Sequence, residues 1–227
     1  MPSGQSIWFR DEGPARKPRL SRERIVRAAV ELLDAEGAEC FSMRALAARL
    51  RAGTMSLYEY VTSKEDVLDL ALDEVFGEVE MAETDASWRT ILIGQLSQSR
   101  QVMHRHPWIP ALVATRPLAG PNALARSEFF YSALARAGLR GPALTAAVGA
   151  LTSYVNGYVS SENIWWSRIR APAADAEIRD QVQRHLDERL KSYPTLARHA
   201  EVGNGDFDDQ FALGLAIILD GIEARLA

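Results

Sequence analysis

Cysteine is nearly missing from this chain: Cys40 stands alone among 227 residues. That excludes an intrachain disulfide and a multi-cysteine metal cluster, and a reducing, cytoplasmic compartment is expected. Lysine is also scarce, at 3 residues against 23 arginines. A lipid-facing span is not expected either. The uncharged stretch between Arg140 and Glu162 is interrupted by Pro142, Gly149, Asn156, Gly157 and several Ser and Thr, which suits a helix buried between helices. Met1–Arg10 lacks the basic-then-apolar order of a signal peptide. No segment sustains the alternation of a strand, and no repeat appears. There is no Ser/His/Asp order, glycine-rich phosphate loop or HExxH, so an enzyme is not expected and no catalytic residue is assigned. His104-Arg105-His106 lacks carboxylate or thiol neighbours in sequence, so neither a metal nor a cofactor is expected.

What is present is charge asymmetry and helical periodicity. Residues 1–64 carry 11 basic and 8 acidic residues, a net +3, whereas residues 65–227 carry 15 and 22, a net −7. A small nucleic-acid module on an acidic body fits that distribution. Residues 1–20 read as a basic arm, with Gly13-Pro14 and Pro18 as breakers, Arg16, Lys17 and Arg19 as its charges, and Ile7-Trp8-Phe9 as an unassigned apolar trio. Arg16, Lys17 and Arg19 either enter a minor groove or form a solvated tail.

Ser21 caps a first helix whose inner face is Ile25, Ala28, Ala29, Leu32 and Leu33, and Gly37 ends it. Ser42 caps a second helix on Leu46, Ala47 and Leu50. Thr54 caps a short third, anchored by Leu57. Ser63-Lys64-Glu65-Asp66 resembles a capping box opening a long fourth, with Val67, Leu68, Ala71, Leu72, Val75, Phe76 and Val79 inward. Further helices are expected at 88–105, 107–114, 121–137, 142–166, 175–193 and 207–226. The expected architecture is all-α: a helix-turn-helix unit over 21–66, joined by a long helix to a larger helical body over 67–227.

The stretch from Phe41 to Val61 has two short helical patterns around a three-residue turn, and the second leaves only Leu57 committed to a core. A recognition helix needs this, its exposed groups free for base edges and phosphates. Ser56 and Thr54 hydroxyls can read several edges, and Met55 can touch a thymine methyl. Tyr58 and Tyr60 can donate to phosphates. Arg44 and Lys64 stand at helix starts on either side, placed to clamp the DNA backbone.

On these residues the chain resembles the tetracycline-repressor (TetR) family of transcriptional regulators. The likeness runs from about Leu20 to Leu72, through Ile25-Val26-Arg27-Ala28-Ala29, Leu33, Gly37, Ser56-Leu57-Tyr58 and Lys64. It implies a homodimer on a palindromic double-stranded operator, released by a small molecule, with DNA contacts on Met43, Arg44, Thr54, Met55, Ser56, Tyr58, Tyr60 and Lys64. Repression is the leading reading, and activation or ligand-independent regulation uses the same module. A remote alternative is an enzyme using the C-terminal pocket. The chain departs from the family pattern at Arg51, in a turn position that is usually glycine, and at Tyr60, where histidine is common. Glu59 is a third irregularity: it either accepts from a cytosine amine or is neutralised or solvated.

In the body, Phe211–Leu219 is apolar or small on every side, so it is covered on more than one face. The resemblance implies a four-helix dimer interface from the final helix and an earlier one, assigned to Ala147, Ala150, Phe211, Leu215, Ile218 and Ile222. Middle-helix aromatics and a few polar groups form the expected ligand pocket. They are Met103, His104, Trp108, Thr115, Arg116, Phe130, Tyr154, Tyr158, Glu162 and Trp165. Thr115-Arg116-Pro117 resembles a tripeptide of the family's founding member, but Leu112 replaces the metal-binding histidine three residues earlier, so magnesium–tetracycline binding is not implied.

Overall fold

The computed structural model describes residues 20–81, 85–169, 172–200 and 206–226. Arg16, Lys17, Arg19 and Ile7-Trp8-Phe9 lie outside them. Among the described residues the elements are all helices: α1 (Arg22–Cys40), α2 (Met43–Leu50), α3 (Thr54–Leu57), α4 (Lys64–Phe76), α5 (Trp88–Arg105), α6 (Ile109–Val113), α7 (Pro121–Ala137), α8 (Gly141–Arg168), α9 (Pro172–Asp187), α10 (Pro194–His199) and α11 (Phe207–Glu223). No helix among them is long and apolar enough to cross a membrane.

Serine hydroxyls start several of these helices. The Oγ atoms of Ser21, Ser42, Ser63 and Ser87 accept from the N–H of Arg24, Ala45, Asp66 and Thr90, each satisfying a donor the helix cannot pair internally. Asp66 completes the α4 cap by accepting from the Thr62 backbone N–H at 2.8 Å. The Thr62 and Ser63 hydroxyls also bond its carboxylate and hold its pKa down to about 2. α3 begins differently from expectation. Gly53 is the N-cap, Thr54 is already helical, and no side chain caps the end.

Gly37 takes φ +78 and breaks α1 before its last residues. The helix expected over 175–193 is shorter: α9 ends at Asp187 and gives way to turns, and Pro194 then opens the separate short helix α10. Leu20 is buried in the core, so it belongs to the folded unit and not to the arm.

The buried stripe of α1 packs on α2 and α4, and α4 continues onto α6 and α7. α5 lies between α7 and α8, and α8 carries α11. One apolar cluster runs without interruption from Ile25, Leu46 and Leu57 through Val67 and Val75 to Leu96, Phe130, Leu151 and Leu219. The short helices at one end are therefore wired into the body through α4.

Candidate nucleic-acid interface and ligand pocket

The turn after α2 closes at Arg51, which takes φ +52 and ψ +43, the only positive φ outside glycine among the described residues. Its N–H and that of Ala52 return to the carbonyls of Ala48 and Ala47, the closing bonds of a left-handed helix end. α3 then projects outward around fully buried Leu57. Met55 is 79% exposed, and Tyr58 and Tyr60 are also exposed. Thr54 and Ser56 are half-buried at the same end, and Arg44 and Glu59 are exposed with no ion pair among the described residues. This is a platform of hydroxyls, a thioether and one cation, open to a groove.

Two expected contact residues sit differently. The Met43 side chain is buried among the core residues, because it faces inward from the first turn of α2. Lys64 donates from Nζ to the Phe41 carbonyl at 2.7 Å and lies over the Phe41 ring. That bond ties the start of α4 to the α1–α2 corner and leaves further ammonium protons for an outside acceptor.

α4 is held along its length from the body side. Near its start, the Arg116 guanidinium bonds Asp69 at 2.7 Å and the Glu65 carboxylate. In its middle, the Asp73 carboxylate accepts from the N–H groups of Asn122 and Ala123 at 3.3 and 2.9 Å. An anion thus caps the N-terminus of α7 from another helix. The approach is close enough that a Cβ on Gly120 would collide with the Asp73 carboxylate. Just past its end, Glu78 bonds Arg105 and His106 Nε2. His106 Nδ1 and Trp108 Nε1 both reach Asp34 of α1 at 2.7 Å.

Where α4, α5, α6, α7 and α8 meet there is a cavity of about 90 Å³. Its walls are mostly apolar, with Phe76, Leu96, Val148 and Val155 among them, and its polar groups are Arg126, Ser127, Thr152 and Asn156. Of the ten residues expected to line a pocket, only Met103 and Phe130 do so. The others have different partners. Trp108 is buried against Asp34. Tyr154 stacks on Phe211 and Tyr158 meets that ring edge-on, and their hydroxyls donate to the carbonyls of Phe211 and Phe207 respectively. Trp165 donates to Asp175. Thr115 back-bonds to carbonyls of its own turn, and Arg116 is drawn to α4. Glu162, 1% exposed, is gripped by Arg100 at 3.0 and 2.5 Å and by His104 Nε2 at 2.9 Å. These side chains are engaged with one another or with nearby carboxylates and carbonyls, outside this cavity.

Asn156 is also legible in the sequence as a polar anchor of the pocket, whereas Arg126 is outside the expected set although a signal for it exists. Ala123, Arg126, Ser127 and Phe130 share one helical stripe, and an arginine inside an apolar stripe faces the interior. Asn156 interrupts the inner face of α8 in the same way.

The expected dimer stripe also needs correction. Phe211, Leu215, Ile222 and Ala147 are buried within the protomer, and Ile218 packs partly against the same core, because α11 lays that face on α8. The face left open carries Leu213 and Ile217, 65% and 63% exposed. Beside it α8 exposes Ala146, Gly149, Ala150, Ser153 and Gly157.

An exposed helix-turn-helix coupled to a larger helical body with an apolar cavity is the architecture of a DNA-binding regulator. Residues 25–71 match the profile of bacterial regulatory proteins of the tetR family, and residues 80–226 match the tetracyclin repressor-like C-terminal domain. The chain is 46% identical to an HTH-type transcriptional regulator of Saccharopolyspora erythraea over 96% of this chain and 92% of that one. It is 38% identical to the HTH-type transcriptional repressor DrrR1 of Streptomyces coeruleorubidus, covering 97% and 84%. Among solved structures, ActR of Streptomyces coelicolor in complex with actinorhodin superposes with TM-score 0.81 at 30% identity, covering 92% and 99%. The chain belongs to the TetR family and is a DNA-binding transcriptional regulator.

Proposed function

We propose that the protein is a homodimeric repressor that holds a palindromic operator and lets go when a small apolar or aromatic molecule enters the cavity. The observation that carries this reading is the Asp73 bridge. The α7 wall of the cavity, through Ala123, is hydrogen-bonded to the middle of the helix that supports the DNA-reading end. A ligand that displaces α7 displaces α4. Affinity then falls because two recognition helices can read half-sites only at one separation, about 34–36 Å.

On this reading residues 21–66 form the DNA unit, and 67–227 form the sensing and dimerising body. Thr54, Met55, Ser56 and Tyr58 approach bases and phosphates. Arg44, Tyr60 and Lys64 hold the backbone, and the Met43 amide is its point of approach. Glu59 faces a cytosine amine or solvent. The partner covers the Leu213–Ile217 ridge and the small residues of α8, where close backbone approach is open. That DrrR1 is named a repressor, and that ActR was solved with actinorhodin, supports repression and ligand binding for those relatives; both are extended to this chain here.

The test is a gel shift on the DNA upstream of its own coding sequence, run across a salt series, with a reporter on the same segment. Repression requires a steep fall of log affinity with log salt and higher reporter expression on deletion. Lower expression on deletion would make the protein an activator instead.

A further inference from the structure

We propose that the ligand of the α4–α8 cavity is an anion: a largely apolar molecule bearing a carboxylate or comparable acid group that pairs with Arg126, with Asn156 as a second polar anchor. This rests on reading the cavity as the sensor site.

Arg126 projects from the inner stripe of α7 between the rings of Phe76 and Phe130, 5.5 and 5.8 Å from their centroids. Its one hydrogen bond is to the Ser99 hydroxyl, although a guanidinium carries five N–H donors. No carboxylate lies within ion-pair distance of it among the described residues. The molecule's other enclosed arginines are treated differently. Arg100 has Glu162 and Asp208, and Arg116 has Glu65 and Asp69.

A cation surrounded by apolar groups without a counter-ion is costly, and a packing role alone would be served by methionine. Burial pushes the Arg126 guanidinium down to about 10, so it still carries its charge near neutral pH. Across the cavity the Asn156 side-chain oxygen is buried without any donor. A lone cation and a lone amide thus face one apolar space. An acid with a ring or chain behind it, and a hydroxyl within reach of Asn156, satisfies both.

The test measures direct binding to the free dimer by calorimetry, using two matched pairs: 2-naphthoate against 2-naphthamide, and octanoate against octanamide. Charge-assisted hydrogen bonding predicts that at least one acid binds about ten-fold or more tightly than its amide. The pair showing the gap separates an aromatic acid from a fatty acid as the natural class. Arg126→Met should level acid and amide to within about two-fold, Arg126→Lys should keep part of the gap, and unliganded Arg126→Met should melt at or above the wild type.

Equal binding of acids and amides, no acid binding at millimolar concentration, a gap surviving in Arg126→Met, or a melting temperature lowered by that substitution would each overturn the proposal. The last would make Arg126 a structural cation. Operator release is scored separately by gel shift. Acid preference without release refutes the sensor reading alone, and release by the amides only refutes the anion alone.

Discussion

The α5–α8–α11 junction and the cavity end of α7 each enclose an arginine, and they treat it in opposite ways. At the junction, Arg100 lies over the Phe211 ring at 4.8 Å and is surrounded by acceptors: Glu162 through two bonds and Asp208 through a third. Those carboxylates raise its pKa, Glu162 foremost. At the cavity, Arg126 has the same aromatic company and a single hydroxyl. The first cation is glue whose counter-charge is built into the fold. The second has a hydroxyl partner and no counter-charge among the described residues. Arg44, exposed on α2 beside α3 and with no acidic partner among the described residues, is the external version of the second kind, and on the proposed reading DNA phosphate is its complement.

The comparison is broken most severely at the junction. Glu162→Ala should lower stability by about 3–5 kcal/mol, since it leaves Arg100 enclosed and short of its main partner; urea denaturation measures the loss. An effect below about 1 kcal/mol would mean that the two arginines differ less than their surroundings imply. Gly120→Ala comes next. The new methyl collides with Asp73, and overpacking of this kind costs about 1–3 kcal/mol. More ligand should then be needed for half-release of operator in a fluorescence titration, because the α7–α4 bridge is loosened.

Arg44→Ala should leave the melting temperature unchanged, weaken operator binding and reduce the slope of log affinity against log salt by about 1. An unchanged slope would remove Arg44 from the phosphate-facing class. The smallest effect belongs to Arg51, whose backbone and not its charge is unusual. Arg51→Gly should stabilise by about 1 kcal/mol by relieving a left-handed conformation, seen as a small rise in melting temperature. A clear fall would show that the side chain holds the turn.

Much of this molecule is legible in its sequence where a local rule decides. Ser21, Ser42 and Ser63 mark helix starts because a short hydroxyl reaches an unpaired N–H. α5 and α7 begin and end where the three-and-four stripe does. Leu57 stands out as the single inward residue of a polar segment. The cavity was harder to read because composition does not say whether aromatics surround a space or one another. Tyr154, Tyr158 and Phe211 pack together, while Arg126, a charge within an apolar stripe, marks the real wall. The dimer face is ambiguous in the sequence for a related reason. α11 is apolar on two faces, and only its docking on α8 decides that Phe211 and Leu215 turn inward while Leu213 and Ile217 turn out.

The fastenings along α4 have a mechanical consequence. Tied to the body at Glu65/Asp69, at Asp73 and just beyond its end at Glu78, the helix is expected to move as one rod. Its 13 residues span roughly 20 Å at 1.5 Å per residue. In the proposed dimer, a tilt of about 5° imposed at the cavity end would swing the DNA end by roughly 2 Å, and two-fold symmetry would turn that into roughly 4 Å between recognition helices. A stiff lever lets a ligand that shifts its own walls only slightly change the gauge of the whole molecule against a DNA helix of fixed pitch.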